Sequence, residues 1–247
     1  VSAQASPIDY RERLYAAYVS AHAARLRAID SRAVRRDFAL YAKVAGPFLP
    51  PDREAKILDL GCGFGGFIAY LRNRGYGRAQ GIDISPEIVA AARGLGIEGV
   101  HCADIASFLT CVSSEFALIT AFDVIEHFRK QEIVDLLYLV REALAVDGRM
   151  IIWTPNAMSK YGRWCRYADF THEHIFDANS IRQCLTATGF RHVQVLPLRP
   201  MVRGAASALR WSLWQIWEPL LKLSFAVESG WESGQVFTPN LVAVAQK

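Results

Sequence analysis

Apolar residues recur along the chain with two different periods, and the alternation between them sets out its elements. Residues 8–29 place Tyr10, Leu14, Tyr18, Val19, His22, Leu26 and Ile29 close to a 3.6-residue repeat, which predicts an amphipathic helix. A second helix is expected to begin near Ser31 as N-cap, to use Val34, Phe38 and Tyr41, and to stop at Gly46-Pro47. Pro47, Pro50 and Pro51 then interrupt the chain. From residue 56 onward short apolar runs alternate with helical stretches. Strands are predicted at 56–60, 79–83, 99–102, 116–121 and 149–154, and helices near 65–74, 85–94 and 130–145. This order predicts an α/β fold with a parallel sheet covered by helices on both faces. A helix near 178–188, N-capped by Asp177, and two strands at 191–198 and 236–246 follow. The expected organisation is an N-terminal helical cap over 1–46 and a main domain over 47–247, with a helical insertion at about 199–235.

Composition narrows the class. Of 247 residues 52% are hydrophobic and 21% charged, which supports a sizeable core and excludes a disordered chain. The net charge of +4 is too small and too dispersed for a dedicated nucleic-acid binder. Cys62, Cys102, Cys111, Cys165 and Cys184 match no zinc spacing and are expected as free thiols in a reducing compartment, with no metal site. Val1–Asp9 lacks the pattern of a secretory leader, and no apolar run is long enough to span a bilayer. A cytoplasmic protein is expected.

The densest chemical signal is Ile57-Leu58-Asp59-Leu60-Gly61-Cys62-Gly63-Phe64-Gly65-Gly66, where a buried strand enters a glycine turn and a helix starts at once. Glycine permits positive φ and close approach of a ligand to the backbone. Gly61, Gly63 and Gly66 also satisfy G-x-G-x-x-G, with Asp83 at the end of the next strand, so a dinucleotide site fits the glycines too. Asp59 inside the first strand and Asp104 after the third add two more acids near one cleft. Three acids disfavour a diphosphate and favour a cationic ligand that bears a nucleoside. An isolated Asp at a strand end is often only a helix cap, and Asp83 could cap the helix starting at Pro86.

With these residues in view the sequence resembles the class I S-adenosylmethionine-dependent methyltransferases. The resemblance rests on Asp59-Leu60-Gly61-Cys62-Gly63, Gly81-Ile82-Asp83-Ile84-Ser85, Ala103-Asp104-Ile105 and Phe122-Asp123-Val124-Ile125-Glu126-His127, and it covers about 55–198 plus the tail strand. It implies a Rossmann-like, doubly wound, seven-stranded sheet whose last strand is antiparallel, and S-adenosyl-L-methionine as cofactor. It implies that Gly61, Cys62 and Gly63 cradle the methionine end and that Asp59 helps hold its amino group. Asp83 would take the ribose hydroxyls, Ile84 would lie against the adenine, and Asp104 and Ile105 would contact the adenine edge. Phe122 and Asp123 complete the pocket.

A hydroxyl acceptor benefits from a general base, and histidine is suited to neutral pH. Of six histidines, His127 after the fourth strand and His172 and His174 in the loop after the fifth open on the carboxyl rim. They are the catalytic candidates. His127 could be base, pocket wall or structural, and some relatives use an acidic-His pair here to hold a divalent metal. Thr154-Pro155-Asn156 ends the fifth strand, and Tyr161, Arg163, Trp164, Arg166 and Tyr167 beyond it could bind a sugar face and a phosphate or be ordinary loop surface.

Three of the six Trp, Trp211, Trp214 and Trp217, fall in the insertion, within a Leu-rich stretch flanked by Arg199, Arg203, Arg210 and Lys222. Such a segment suits peripheral membrane contact through 203–227, a lid over the cleft, or a homodimer contact. Pro219 is expected to split it into two helices. The resemblance is closest to bacterial methyltransferases of saccharide and lipid-linked glycan pathways. The expected reaction is therefore O-methylation of a saccharide or lipid-linked saccharide, at the inner face of the membrane if the acceptor is lipid-linked. A small-molecule N- or O-methyltransferase of secondary metabolism, an NAD(P)-dependent oxidoreductase and a non-catalytic membrane- or partner-binding protein are the alternatives.

Overall fold

The strands form one seven-stranded sheet, and its order follows from how each apolar run is covered. A computed structural model of the chain describes Tyr10, Leu14, residues 30–230 and residues 233–247. The helix expected over 8–29 therefore lies almost wholly outside the described residues. Strands β1 (Ile57–Leu60), β2 (Ala79–Asp83), β3 (Val100–Cys102), β4 (Phe116–Phe122), β5 (Leu144–Pro155), β6 (Arg191–Pro197) and β7 (Asn240–Gln246) lie in the order β3-β2-β1-β4-β5-β7-β6. β1 to β5 pair in parallel, and β7 runs antiparallel to both β5 and β6. This is the Rossmann-like sheet with a reversed last strand.

Side chains alternate across each strand, so neighbouring residues enter opposite cores. Leu58, Leu60, Ile119 and Ile152 face one layer with Leu137, Val140 and Ile181. Ile57, Leu118, Ile151 and Val244 face the other with Ile68, Leu71 and Val89. The first layer is supplied by helices α6 (Lys130–Ala143) and α8 (Ala178–Ala187). The second is supplied by α3 (Gly66–Asn73), α4 (Pro86–Gly94) and the N-terminal pair α1 (Ser31–Arg36) and α2 (Phe38–Val44). Coverage on both faces explains why the strands read as continuous apolar runs rather than alternating ones. Each fully buried Leu or Ile contributes roughly 1.5–3 kcal/mol. The order of strands reverses between β1 and β4, which opens a crevice at the carboxyl ends of β1, β2, β4 and β5.

Two local expectations are corrected. α1 is capped by Asp30, whose Oδ1 accepts from the Ala33 amide at 2.7 Å, and not by Ser31. Asp30 stands one residue before the first helical turn, where its carboxylate reaches an amide that has no partner within the helix. The insertion is a single helix, Ala205–Ser229, running through Pro219. Helix α5 (Ile105–Leu109) and α7 (Gly162–Ala168) precede it in the chain, so it is α9. Proline removes only one helical hydrogen bond, and side chains on both sides bridge the gap. Glu218 accepts from Trp214 Nε1 at 3.0 Å and pairs with Lys222 at 3.0 Å. Arg199 donates to both Glu218 oxygens, at 2.8 and 3.0 Å. No helix among the described residues is long and apolar enough to cross a membrane.

Candidate active site

The loop from β1 to α3 is shaped by glycine. Gly61, Gly63 and Gly65 have φ of 60°, 53° and 72°. A Cβ on Gly61 would stand 2.5 Å from Val124 Cγ2, whereas one on Gly63 would meet nothing within 4 Å. Gly63 thus borders open space, and a ligand can approach the main chain there. Cys62 points inward, where Gly81 leaves it room: a Cβ on Gly81 would lie 2.6 Å from the Cys62 Cβ. Burial and the charges of Asp59 and Asp83 push the Cys62 thiol up, so it is inert and serves as a small turn residue.

Asp83 closes the loop. Its Oδ2 accepts from the Gly63 amide at 3.0 Å and its Oδ1 from the Ser85 amide at 2.9 Å. Ser85, not Asp83, caps α4. Asp104 does act as a cap, accepting from the Ser107 amide at 2.8 Å at the start of α5 while remaining exposed. Ile105 is the first residue of that helix, and Ile84, which follows Asp83 at the end of β2, is half exposed.

Asp59 is buried, with Oδ1 accepting from Thr120 Oγ1 at 2.6 Å. Burial raises its pKa to about 7, against the Thr120 bond, and Asp83 adds to the rise. Asp123 leaves β4 with φ of 53° and its amide held by the Trp153 carbonyl at 2.8 Å. The residue is solvent-exposed, and the surrounding protein raises its pKa. Among the described residues none of Asp59, Asp83 and Asp123 forms an ion pair with Lys or Arg. Carboxylates gathered without a cation fit a positively charged ligand and oppose a diphosphate. Tyr41 of α2 is drawn into the same place. Its ring lies 6.2 Å from that of Phe122 at 13°, and burial followed by repulsion from Asp59 raises its hydroxyl pKa. Phe122 in turn packs on Phe67 and Trp153, with centroids at 5.0 and 5.8 Å, and forms a wall.

The second half of the site is a histidine cluster. His127 ends a single 3-10 turn, Ile125–His127, and its ring centroid lies 4.9 Å from that of His172. Thr171 Oγ1 donates to Asp169 Oδ1 at 2.6 Å and stands 2.9 Å from His127 Nδ1. A hydroxyl has one proton, so His127 must donate from Nδ1, and the lone pair of the neutral ring resides on Nε2. His172 Nδ1 likewise donates to the Cys165 carbonyl at 2.8 Å. Burial, then repulsion from His172, lowers His127 to about 4, against the pull of Asp169 and of nearby Thr171 and Asp123 backbone. Burial alone would raise Asp169, but the hydroxyl and amide of Thr171 outweigh it and hold Asp169 below the usual range.

Glu126 is fully buried under this pair. Its Oε2 accepts from Thr154 Oγ1 at 3.0 Å, and its Oε1 has no partner. Burial and Asp123 raise its pKa. Ligating atoms of Glu126, His127 and His172 lie within 4.8 Å of one another, a set able to hold a divalent cation. His174 is not part of it and packs edge-on against Phe176 at 4.7 Å. Tyr161, Trp164, Tyr167 and Phe170, in and around α7, are 64–81% exposed on the segment leading to His172.

Sequence reasoning placed Asp59, the glycines, Asp83, Asp123 and His127 around one crevice. It missed Tyr41, Thr171, Asp169 and the buried role of Glu126. Glu126 was visible beside His127, but the Thr171 contact joins residues 44 apart and had no local signal.

A family profile described as a methyltransferase domain matches residues 30–195. No curated protein matches at a significant level. Among solved structures, the chain is similar to a SAM-dependent methyltransferase from Archaeoglobus fulgidus, at 18% identity and TM-score 0.66 over 87% of this chain and 94% of that one. It is similar to a possible histamine N-methyltransferase from Thermotoga maritima, at 16% identity and TM-score 0.60 over 96% and 97%. It also matches phosphoethanolamine N-methyltransferase 2 of Haemonchus contortus, solved with S-adenosyl-L-methionine, at 18% identity and TM-score 0.60 over 85% of this chain and 52% of that chain. At these identities the structures establish a shared fold. The profile covers the crevice, its three acids and the histidine pair, sets aside the nicotinamide alternative, and leads to one conclusion: the chain belongs to the methyltransferase-domain family and is an enzyme of that class.

Proposed function

We propose that the chain transfers the methyl group of S-adenosylmethionine to a hydroxyl of a saccharide or lipid-linked saccharide, with His127 as general base. When bound, the donor supplies an electrophilic methyl on a sulfonium, which leaves as the neutral thioether of S-adenosylhomocysteine. Asp59 receives the donor's ammonium group, and Gly61 and Gly63 admit its methionine end. Asp83 keeps lone pairs for the ribose hydroxyls. Ile84, Asp104 and Ile105 border the adenine. Asp123 faces the sulfonium side of the crevice, and positioning of the acceptor behind the methyl supplies most of the rate.

The observation that carries the base assignment is the hydrogen-bonded chain from His127 Nδ1 through Thr171 Oγ1 to Asp169 Oδ1. Thr171 holds the proton on Nδ1, so Nε2 accepts the acceptor's hydroxyl proton as the new C–O bond forms. Asp169, ionised and one hydroxyl away, stabilises the resulting imidazolium. The exposed aromatic rings of α7 offer flat faces to a sugar or to a lipid-linked acceptor.

A second reading is favoured by the orphaned Glu126 Oε1 and by the low basicity of His127 at about 4. In it, Glu126, His127 and His172 would hold a divalent cation, which would supply Lewis-acid activation of the acceptor hydroxyl. The two divide on one experiment. Labelled methyl transfer is measured with panels of free and lipid-linked saccharides and of amines, with and without chelator. For the His127 base, His127→Ala lowers turnover about 100-fold or more, donor affinity is unchanged, and chelator has no effect. Loss of activity on chelation, restored by a divalent cation, selects the cation reading. Transfer to amines only would end both.

A further inference from the structure

One face of α9 carries a line of solvent-exposed apolar residues. Leu209, Leu213, Ile216, Leu220, Leu223 and Val227 follow one another in steps of four and three, and each is between 49% and 80% exposed. The opposite face is the one fixed to the body, through Glu218 with Arg199 and through Phe225 on Phe237 at 5.7 Å. A four-three repeat is the 3.5-residue period of a seam between paired helices. At about 100° per residue the six side chains stay within about 40° of one line over about 27 Å. A helix lying in a lipid headgroup layer carries a broader apolar face with a strongly basic polar side. This stripe is bordered by Ser212 and Ser224 and, on one edge, by Arg210, Glu228 and the 40% exposed Trp217, so that edge carries charges of both signs and is not strongly basic.

The borders carry a second signal. Arg210 and Glu228 are five turns apart, so they lie on the same edge of the stripe at its opposite ends. Neither has an ion-pair partner among the described residues. A two-fold axis level with Glu218 would set Leu209 against Val227 of the partner subunit, Leu213 against Leu223 of the partner subunit, and Ile216 against Leu220 of the partner subunit. The same axis keeps each edge on its own side, so Arg210 comes beside Glu228 of the partner subunit, twice. A surface whose apolar spacing and end charges both match its own antiparallel image is self-complementary.

We propose that a second copy of this chain pairs along this stripe, forming an isologous dimer through antiparallel α9 helices. A single helix pair lies at the small end of specific interfaces, so the dimer exchanges with monomer in the micromolar range. The proposal does not depend on the acceptor or on the catalytic base.

Sedimentation velocity of the whole chain over a concentration series tests it. Wild type should shift from monomer to dimer as concentration rises. Ile216→Lys with Leu220→Lys, both at exposed positions, should remain monomeric while keeping methyl-transfer activity and melting temperature. Arg210→Glu should weaken dimerisation about fivefold by setting like charges together, and Arg210→Glu with Glu228→Arg should restore it. A monomer at every concentration, or a dimer that survives the lysine pair, overturns the proposal. So does a monomer that binds anionic phosphatidylglycerol vesicles through the same two positions, which would give the stripe to a lipid surface.

Discussion

At the scale of single residues, the site holds charges the fold would rather not have. Asp59 has a pKa of about 7 where an ordinary Asp has 3.8, because burial disfavours its ionised form more than the Thr120 bond favours it. With the folded value above the unfolded one, Asp59 supports the fold best when protonated. Its contribution declines as pH rises from about 4 towards 7. If Asp59 receives the donor's ammonium group as proposed, binding reverses the preference, since an ammonium group stabilises the carboxylate. Below about pH 7 binding must therefore expel a proton, and affinity for S-adenosylmethionine should fall up to tenfold per pH unit on the acid side. Calorimetric titration across that range should show this slope in wild type. Asp59→Asn should bind more weakly by about 1.5–3 kcal/mol and lose the slope. An unchanged slope in the mutant would remove Asp59 from the donor site. His127 illustrates the opposite arrangement, an imidazole kept neutral by burial and held by the Thr171 hydroxyl.

At the scale of elements, the β1 loop separates two uses of glycine. Gly61 needs both its positive φ and its missing Cβ, because Val124 occupies the space. Gly63 needs the φ alone, and the space above it is open, where the proposed reading puts the donor. Gly61→Ala should lower stability by about 2–4 kcal/mol, combining overpacking with left-handed strain. Gly63→Ala should lose only about 1–2 kcal/mol of stability but at least tenfold in donor affinity. Denaturant midpoints and binding isotherms of the pair check this, and equal stability losses would refute the distinction. These elements were legible in the sequence for a physical reason. β1, β2 and β4 are covered on both faces, so their apolar runs are uninterrupted, and the turn between β1 and α3 can be made only with glycine. Other parts had no such signature. Tyr41 looks like any core aromatic on a helix, yet it reaches the crevice beside Asp59 and Phe122. Asp169 and Thr171 sit in a loop whose period says nothing, and only folding brings them to His127.

At the scale of the whole molecule, α9 is an appendage whose attachment depends on one buried carboxylate. Local rules predicted a break at Pro219, and they failed because Glu218 gathers Trp214, Lys222 and Arg199 across the proline, a tertiary arrangement with no counterpart in the local pattern. The Arg199 bonds, set against burial and aided by Lys222, hold the Glu218 pKa at about 2, below its ordinary 4.5. Its folded pKa is depressed, so its stabilising effect is complete above about pH 4.5 and is lost as pH falls towards 2. The two cores do not share this dependence, because they rest on apolar contacts on either side of the sheet. Glu218→Ala should therefore loosen α9 selectively. Hydrogen exchange over residues 205–229 should accelerate, while amides of β1, β4 and β5 keep their protection. Wild type brought below about pH 4 should begin to show the same pattern before the sheet opens. If α9 amides in the mutant exchange as slowly as in wild type, the helix is held by its apolar contacts with Phe237 and not by the Glu218 cluster.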